Sequence, residues 1–121
     1  MSSIRLRTFS ADQSRPIAIR CYLQKHHSNP TLTLDDLARH LALSTSRAGH
    51  AVREACAKTF IALLTDTRLG TAAGLLRHTD LAIDRVVTQS GFGNRTHFHA
   101  VFSRELHVTP GAYRRRAGAM P

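Results

Sequence analysis

No stretch of this chain approaches the roughly 18 continuous apolar residues a membrane span needs, and the N-terminus, MSSIRLRTFSADQS, has no signal-peptide apolar core. The expectation is a cytoplasmic protein with no membrane partner. Cysteine is scarce: Cys21 and Cys56 stand alone, without CxxC spacing or a secreted context, and read as buried thiols rather than a disulfide or redox pair. Also missing are a nucleophile elbow, a P-loop, and carboxylates paired at catalytic spacing, so neither enzymatic activity nor a cofactor is expected. The eight histidines do not make a metal site. His97 and His99 lie two apart on a helical pattern, roughly 200° around it, and no Cys, Asp or Glu completes a ligand set at zinc spacing. Acid is in short supply as well. Against 17 Lys and Arg there are 8 Asp and Glu, a formal net charge of +9 in 121 residues, with a pI near 11.2. That excess attracts a polyanion non-specifically.

What the chain does contain is a pattern written twice. LTLDDLARHLALSTSRAGHAV sets Leu34, Leu37, Ala38, Leu41 and Leu43 before Ala48 and Val52; LAIDRVVTQSGFGNRTHFHAVF sets Ile83, Val86, Val87, Ser90 and Phe92 before Phe98 and Phe102. The offset is 49 for Leu34 to Ile83 and for Leu43 to Phe92, then 50 for Ala48 to Phe98 and Val52 to Phe102, so one residue is inserted in the turn. Two short helical patterns joined by a turn form a helix-turn-helix, whose second helix can enter the DNA major groove.

Along the chain, residues 1–14 have no sustained period and read as a flexible arm. From Arg15 the spacing turns helical, with Ile19, Tyr22 and Leu23 on one face, until Pro30 forbids continuation. Thr33 is a good N-cap for a helix to about Leu41, with Asp35 and Asp36 complementing its dipole. Ser44 caps the next, which runs from Thr45 to about Cys56 and turns Ala48, Val52 and Ala55 inward. A longer helix follows over FIALLTDTRLGTAAGLLRH, capped by Thr59, with Phe60, Leu64, Ala72, Leu75 and Leu76 on a stripe. Nineteen residues of helix span roughly 28 Å, near the roughly 34 Å turn of duplex DNA. Asn94 caps RTHFHAVFSREL, and Thr109 with Pro110 opens a last helix ending in Arg114, Arg115 and Arg116. The resulting domains are an arm at 1–14, a first helix-turn-helix subdomain at 15–58, a connecting helix at 59–78, a second subdomain at 79–116, and a tail at 117–121.

The span from about Ile19 to Arg114 resembles the DNA-binding region of the AraC/XylS transcription regulators. The more specific marks are Ile83, Gly91 with Phe92, His97 with Phe98, Phe102, and TP..YR at Thr109, Pro110, Tyr113 and Arg114. The first half matches through LTLDDLA, Leu43 with Ser44, and Arg68, Leu69, Ala72, Leu75 and Leu76. The resemblance implies an all-α fold of about seven helices, two homeodomain-like helix-turn-helix subdomains on a central helix, reading successive major-groove segments. It implies a sequence-specific DNA-binding transcription regulator, with activation as the commoner role. The partners implied are double-stranded DNA, RNA polymerase, and an effector-binding or dimerisation domain for which 121 residues leave no room. The opening Met1 fits a complete small protein, and the arm before Arg15 fits a linker stump equally well. Charge alone would also permit a general or architectural DNA-binding protein without strong sequence preference.

Five positions depart from the family. Ala57 and His107 stand where glycine usually follows each recognition helix, so both turns are expected to find another backbone solution. Ala48 and Val52 replace larger residues in the first core, which points to a less stable N-terminal half. Ala100 replaces a residue that is commonly basic.

The candidate base-reading residues are Arg95, Thr96 and His99 on the second recognition helix and Ser46, Arg47, Gly49 and His50 on the first, each weighed against a plain solvated helix face. Arginine can pair with guanine in a bidentate fork and threonine can touch a thymine methyl, whereas Gly49 has no side chain to read with. The candidate phosphate contacts are Ser44, Arg53, Lys58, Asn94, Thr109 and Arg114, together with the helix N-termini. Arg68, near Asp66, is as readily a structural ion-pairing residue as a phosphate contact.

Overall fold

The computed structural model describes residues 11–119, with side chains at 15–118. Among them are seven α-helices and no strands: α1 (Ala11–His26), α2 (Leu34–Leu41), α3 (Thr45–Cys56), α4 (Phe60–His78), α5 (Ile83–Ser90), α6 (Arg95–Leu106) and α7 (Pro110–Ala119). The all-α expectation holds. Two boundaries move. Helix α1 begins at Ala11, so the last four residues of the expected arm are helical, and the helix continues through Pro16 despite the N–H that proline removes from the ladder. The expected tail is helical too as far as Ala119. Residues 1–10, the rest of the arm, lie outside the described residues.

The chain divides into two compact units, one formed by the chain up to His26 with Leu32–Leu64, the other by His27–Thr31 with the chain from Thr65 onward. The connecting helix is therefore not a separate element. Its first turns, with Phe60, Leu63 and Leu64, belong to the first core, and Leu69, Ala72 and Leu76 belong to the second.

In the first unit Ile19 and Leu23 of α1, Leu37 of α2 and Val52 of α3 are completely buried and pack with Leu63 and Leu64. Each such side chain contributes about 1.5–3 kcal/mol of burial. Ala48 is equally buried but small. Cys56 is buried as expected, whereas Cys21 lies exposed on the solvent side of α1, off the stripe made by Ile19 and Leu23; both are free thiols. The second unit has a larger aromatic payload. Phe92 meets Phe98 edge-on at 5.1 Å, Phe98 lies 5.5 Å from Phe102, and Phe102 meets Tyr113 edge-on at 5.5 Å.

Candidate nucleic-acid interface

The first helix-turn-helix is fixed at its ends by its own polar side chains. Thr33 Oγ1 accepts from the Asp36 N–H at 3.3 Å while Asp36 Oδ2 accepts from the Thr33 N–H at 2.9 Å, a reciprocal capping box. Accepting from the Thr33 N–H, and next from its hydroxyl, holds the Asp36 carboxyl below its ordinary range. Ala42 ends α2 in the left-handed conformation, with φ 57°, and Ser44 Oγ then caps α3 by accepting from the Arg47 N–H at 3.2 Å.

Because Ala48, Val52 and Cys56 face the core, helical spacing places Ser46, His50 and Arg53 together on the outward line. All three are exposed, with Arg47 on their flank. Arg53, expected at phosphate, thus shares the reading line. Gly49 lies at the α2 edge of that line: it is half-buried, and a Cβ built on it would meet Leu34 Cδ2 at 3.5 Å. Ser46, Gly49, His50 and Arg53 form one wall of an open groove of about 540 Å³, lined by Leu32, Thr33 and Leu34 on one side and by Thr59, Phe60 and Ile61 on the other. Thr45, the first residue of α3, donates its hydroxyl to Asp35 Oδ1 at 2.6 Å.

In the second unit Gly91 ends α5 at φ 91°, and the chain restarts at Asn94, whose Oδ1 accepts from the His97 N–H at 2.7 Å. Burial of Phe98, Val101 and Phe102 sets the outward line of α6 at Thr96, Ala100 and Ser103. Thr96 and Ala100 are exposed, and Ser103 is half-exposed. His99 is half-buried, its ring edge-on to Phe98 at 5.9 Å, so it reaches outward only along the flank. Arg95, 58% exposed, places Nη1 3.3 Å from Asp84 Oδ1 of α5. Sequence reasoning missed Ser103 and the two acids Asp35 and Asp84. The register of the repeat carried a signal for the acids, since they are separated by the same 49 residues as the core positions.

Two arginines turn out to be occupied by backbone. Arg114 Nε and Nη2 donate to the carbonyls of Leu76 and Thr79 at 3.3 and 3.2 Å, closing the C-terminus of α4. Those two donors serve the helix end, which gives Arg114 a structural role beside the phosphate contact the sequence suggested. Arg68 Nε and Nη2 donate to the carbonyls of His27 and Asn29 at 3.0 and 2.8 Å, fastening the segment after α1. Partial burial lowers its pKa from the usual arginine range. Thr109 Oγ1 caps α7 by accepting from the Ala112 N–H at 3.1 Å. Lys58 is exposed next to Ala57.

Residues 37–116 match the family model described as a helix-turn-helix domain. The chain belongs to the AraC/XylS family of helix-turn-helix proteins. It is similar to the transcriptional activator RhaR of Cronobacter sakazakii, 30% identical over 87 residues that cover 72% of this chain and 31% of the relative. It is similar also to the arabinose operon regulatory protein of Escherichia coli, 27% identical over 93 residues covering 77% and 32% respectively. Among solved structures, the C-terminal domain of AraT, a response regulator from Geobacillus stearothermophilus, superposes with a TM-score of 0.81 at 32% identity, covering 88% of each chain. The chain spans about a third of the length of the curated relatives it matches.

The AraC/XylS motif TP..YR acquires a physical meaning in this chain. Thr109 caps α7, Pro110 is buried in its first turn, Tyr113 packs on Phe102 and accepts from Arg77 Nη1 at 2.6 Å, and Arg114 closes α4. The motif builds the second unit. The family's usual glycines after α3 and α6 are absent, yet the backbone keeps the left-handed turn: φ is 58° at Ala57 and 60° at His107. No other backbone solution was needed, contrary to the sequence expectation.

Proposed function

We propose that this chain is the DNA-reading part of a sequence-specific transcription regulator, acting as an activator by inserting α3 and α6 into successive major-groove segments. The observation that carries the reading is made twice. In each unit a side-chain-capped helix sinks one face into its own core and leaves a line of small, polar or basic side chains outward: Ser46, His50 and Arg53 on α3, and Thr96, Ala100 and Ser103 flanked by Arg95 and His99 on α6. A rigid helix with a short-side-chain face can approach base edges closely, and its basic flank holds the phosphates. The similarity to the transcriptional activator RhaR supports the same role and its sign.

Phosphate contacts are assigned to Arg53, Lys58 and the N-termini capped by Ser44, Asn94 and Thr109. RNA polymerase is the proposed target of activation, and an effector-binding or dimerisation domain the proposed partner, as the greater length of the relatives suggests. No helix among the described residues is long and apolar enough to cross a membrane, in keeping with a site of action at the nucleoid. The assignment involves no catalytic step and no cofactor.

The net charge of +9 favours a second reading, a general or architectural DNA-binding protein. Selection of bound duplexes from a random pool separates the two. The proposal expects an enriched motif bound at least about 10³-fold more tightly than random sequence, and an unenriched pool retained by charge alone would refute it.

A further inference from the structure

The first residue of each recognition helix is gripped by a carboxylate from the first turn of the helix before it. In the first unit Asp35 Oδ1 accepts from Thr45 Oγ1 at 2.6 Å; in the second Asp84 Oδ1 lies 3.3 Å from Arg95 Nη1. The acids are 49 residues apart and their partners 50, the same offsets that relate the two cores. A surface pair formed by chance has no reason to recur in register.

The second pair has little value for folding. Asp84 is 75% exposed and Arg95 58%, and ion pairs exposed to this degree are screened by solvent and add little to stability. It also has a cost, since Asp84 sets one of only eight acids beside the helix assigned to meet a polyanion. A carboxylate there repels phosphate whatever the DNA sequence. What it supplies in return is orientation. A free arginine side chain loses rotamer freedom in any contact it makes, and a guanidinium already held by one edge has less of it to lose. Asp84 engages Nη1, so the edge formed by Nη2 and Nε is the one that can meet O6 and N7 of a guanine.

We propose that Asp84 is a positioning residue for DNA reading: it presents Arg95 to a guanine and exchanges overall affinity for discrimination. The inference rests on the assignment of α6 as a reading helix. It makes the loss of this acid act in opposite directions on two measurable quantities.

The test uses the full 121-residue chain with Asp84→Ala, Asp84→Glu, Arg95→Ala and the Asp84→Ala/Arg95→Ala double variant. Each is titrated against the selected duplex, its single-base variants and a random duplex. Asp84→Ala should bind the random duplex about two- to fivefold more tightly, because one repulsive charge is gone. It should also lose about fivefold or more of the discrimination at the single base pair where Arg95→Ala loses about tenfold. Asp84→Glu should restore part of that discrimination, and in the Arg95→Ala background Asp84→Ala should no longer move base preference. A thermal midpoint unchanged by Asp84→Ala keeps the effect apart from folding.

If the wild type discriminates but Asp84→Ala keeps its preference, Asp84 does not position Arg95. A preference sharpened by Asp84→Ala would show instead that Asp84 draws Arg95 away from the base, which also overturns the proposal. A wild type that does not discriminate among the variants removes the regulator assignment and this inference together.

Discussion

Ala57 and His107 hold the same backbone fifty residues apart: φ is 58° at one and 60° at the other, and their N–H groups donate at 2.9 Å to the carbonyls of Arg53 and Ser103, each four residues back. Each closes a recognition helix. A left-handed conformation costs an L-residue about 1–2 kcal/mol, from which the greater unfolded-state freedom of glycine takes back about 0.5–1 kcal/mol. Ala57→Gly and His107→Gly are therefore each expected to stabilise the chain by about 0.5–1 kcal/mol, read as a rise in the urea midpoint at constant slope. A fall in the midpoint would mean that the side chains contribute more than their backbone costs.

Gly91 answers differently. It occupies the turn of the second repeat where Ala42 stands in the first, both left-handed. A Cβ at Gly91 would overlap the His27 carbonyl oxygen and crowd Arg68 Nε at 2.9 Å. Gly91→Ala should therefore cost about 3 kcal/mol or more, combining backbone strain with loss of a charge-assisted bond from Arg68 to a carbonyl. Equilibrium unfolding measures it, and a cost below about 1 kcal/mol would show that the segment from His27 to Thr31 moves aside freely.

The opposite sign is expected at Gly49. It lies inside α3, where glycine is about 0.8–1 kcal/mol less favourable than alanine, and a Cβ there makes an ordinary contact with Leu34 at 3.5 Å. Gly49→Ala should stabilise the first unit by about that amount and leave the base preferences of a selected site unchanged. A shift in preference would show instead that position 49 approaches the bases.

How far the sequence foretold these sites follows from what kind of information each required. Periodicity located the helices, and capping residues fixed the starts of four of them, because Thr33, Ser44, Asn94 and Thr109 act on neighbours three residues away. The buried faces followed from the same period; Cys21, expected to be buried from the habits of free cysteine, lies off the stripe of Ile19 and Leu23 and is exposed. Arg114 and Arg68 could not be assigned because their partners lie 35 to 41 residues away. A basic residue read locally looks like a phosphate contact. Ala57 and His107 failed for another reason: the tertiary fold imposes a turn that local preference would avoid, and no rule of composition says which will win.

The capping box makes stability depend on acid. Asp36 is held below its ordinary carboxyl value by the Thr33 N–H and hydroxyl. A carboxyl whose folded pKa is depressed contributes stability that is fully present above the unfolded value of about 3.9 and is lost as pH falls through the folded value. Asp36→Asn should therefore be less stable than wild type at pH 7, with the two stabilities converging as the pH falls through the lowered folded-state value. A difference that stayed constant with pH would place the effect in packing rather than in the charge.

Salt dependence distinguishes arginines that meet phosphate from those that meet carbonyls. If Arg53, Lys58 and the capped N-termini together neutralise about five phosphates, log K against log salt should fall with a slope of about −4 to −5. Arg53→Ala should make that slope shallower by about one, uniformly across DNA sequences. Arg114→Ala should leave the slope in place and destabilise the second unit by about 1.5–3 kcal/mol, because its guanidinium serves the carbonyls of Leu76 and Thr79. Binding isotherms at four or five salt concentrations, paired with urea unfolding of each variant, read both quantities. A slope lowered by Arg114→Ala as much as by Arg53→Ala would mean that Arg114 leaves the helix end to meet DNA, and a wild-type slope shallower than about −2 would remove phosphate neutralisation as the main source of affinity.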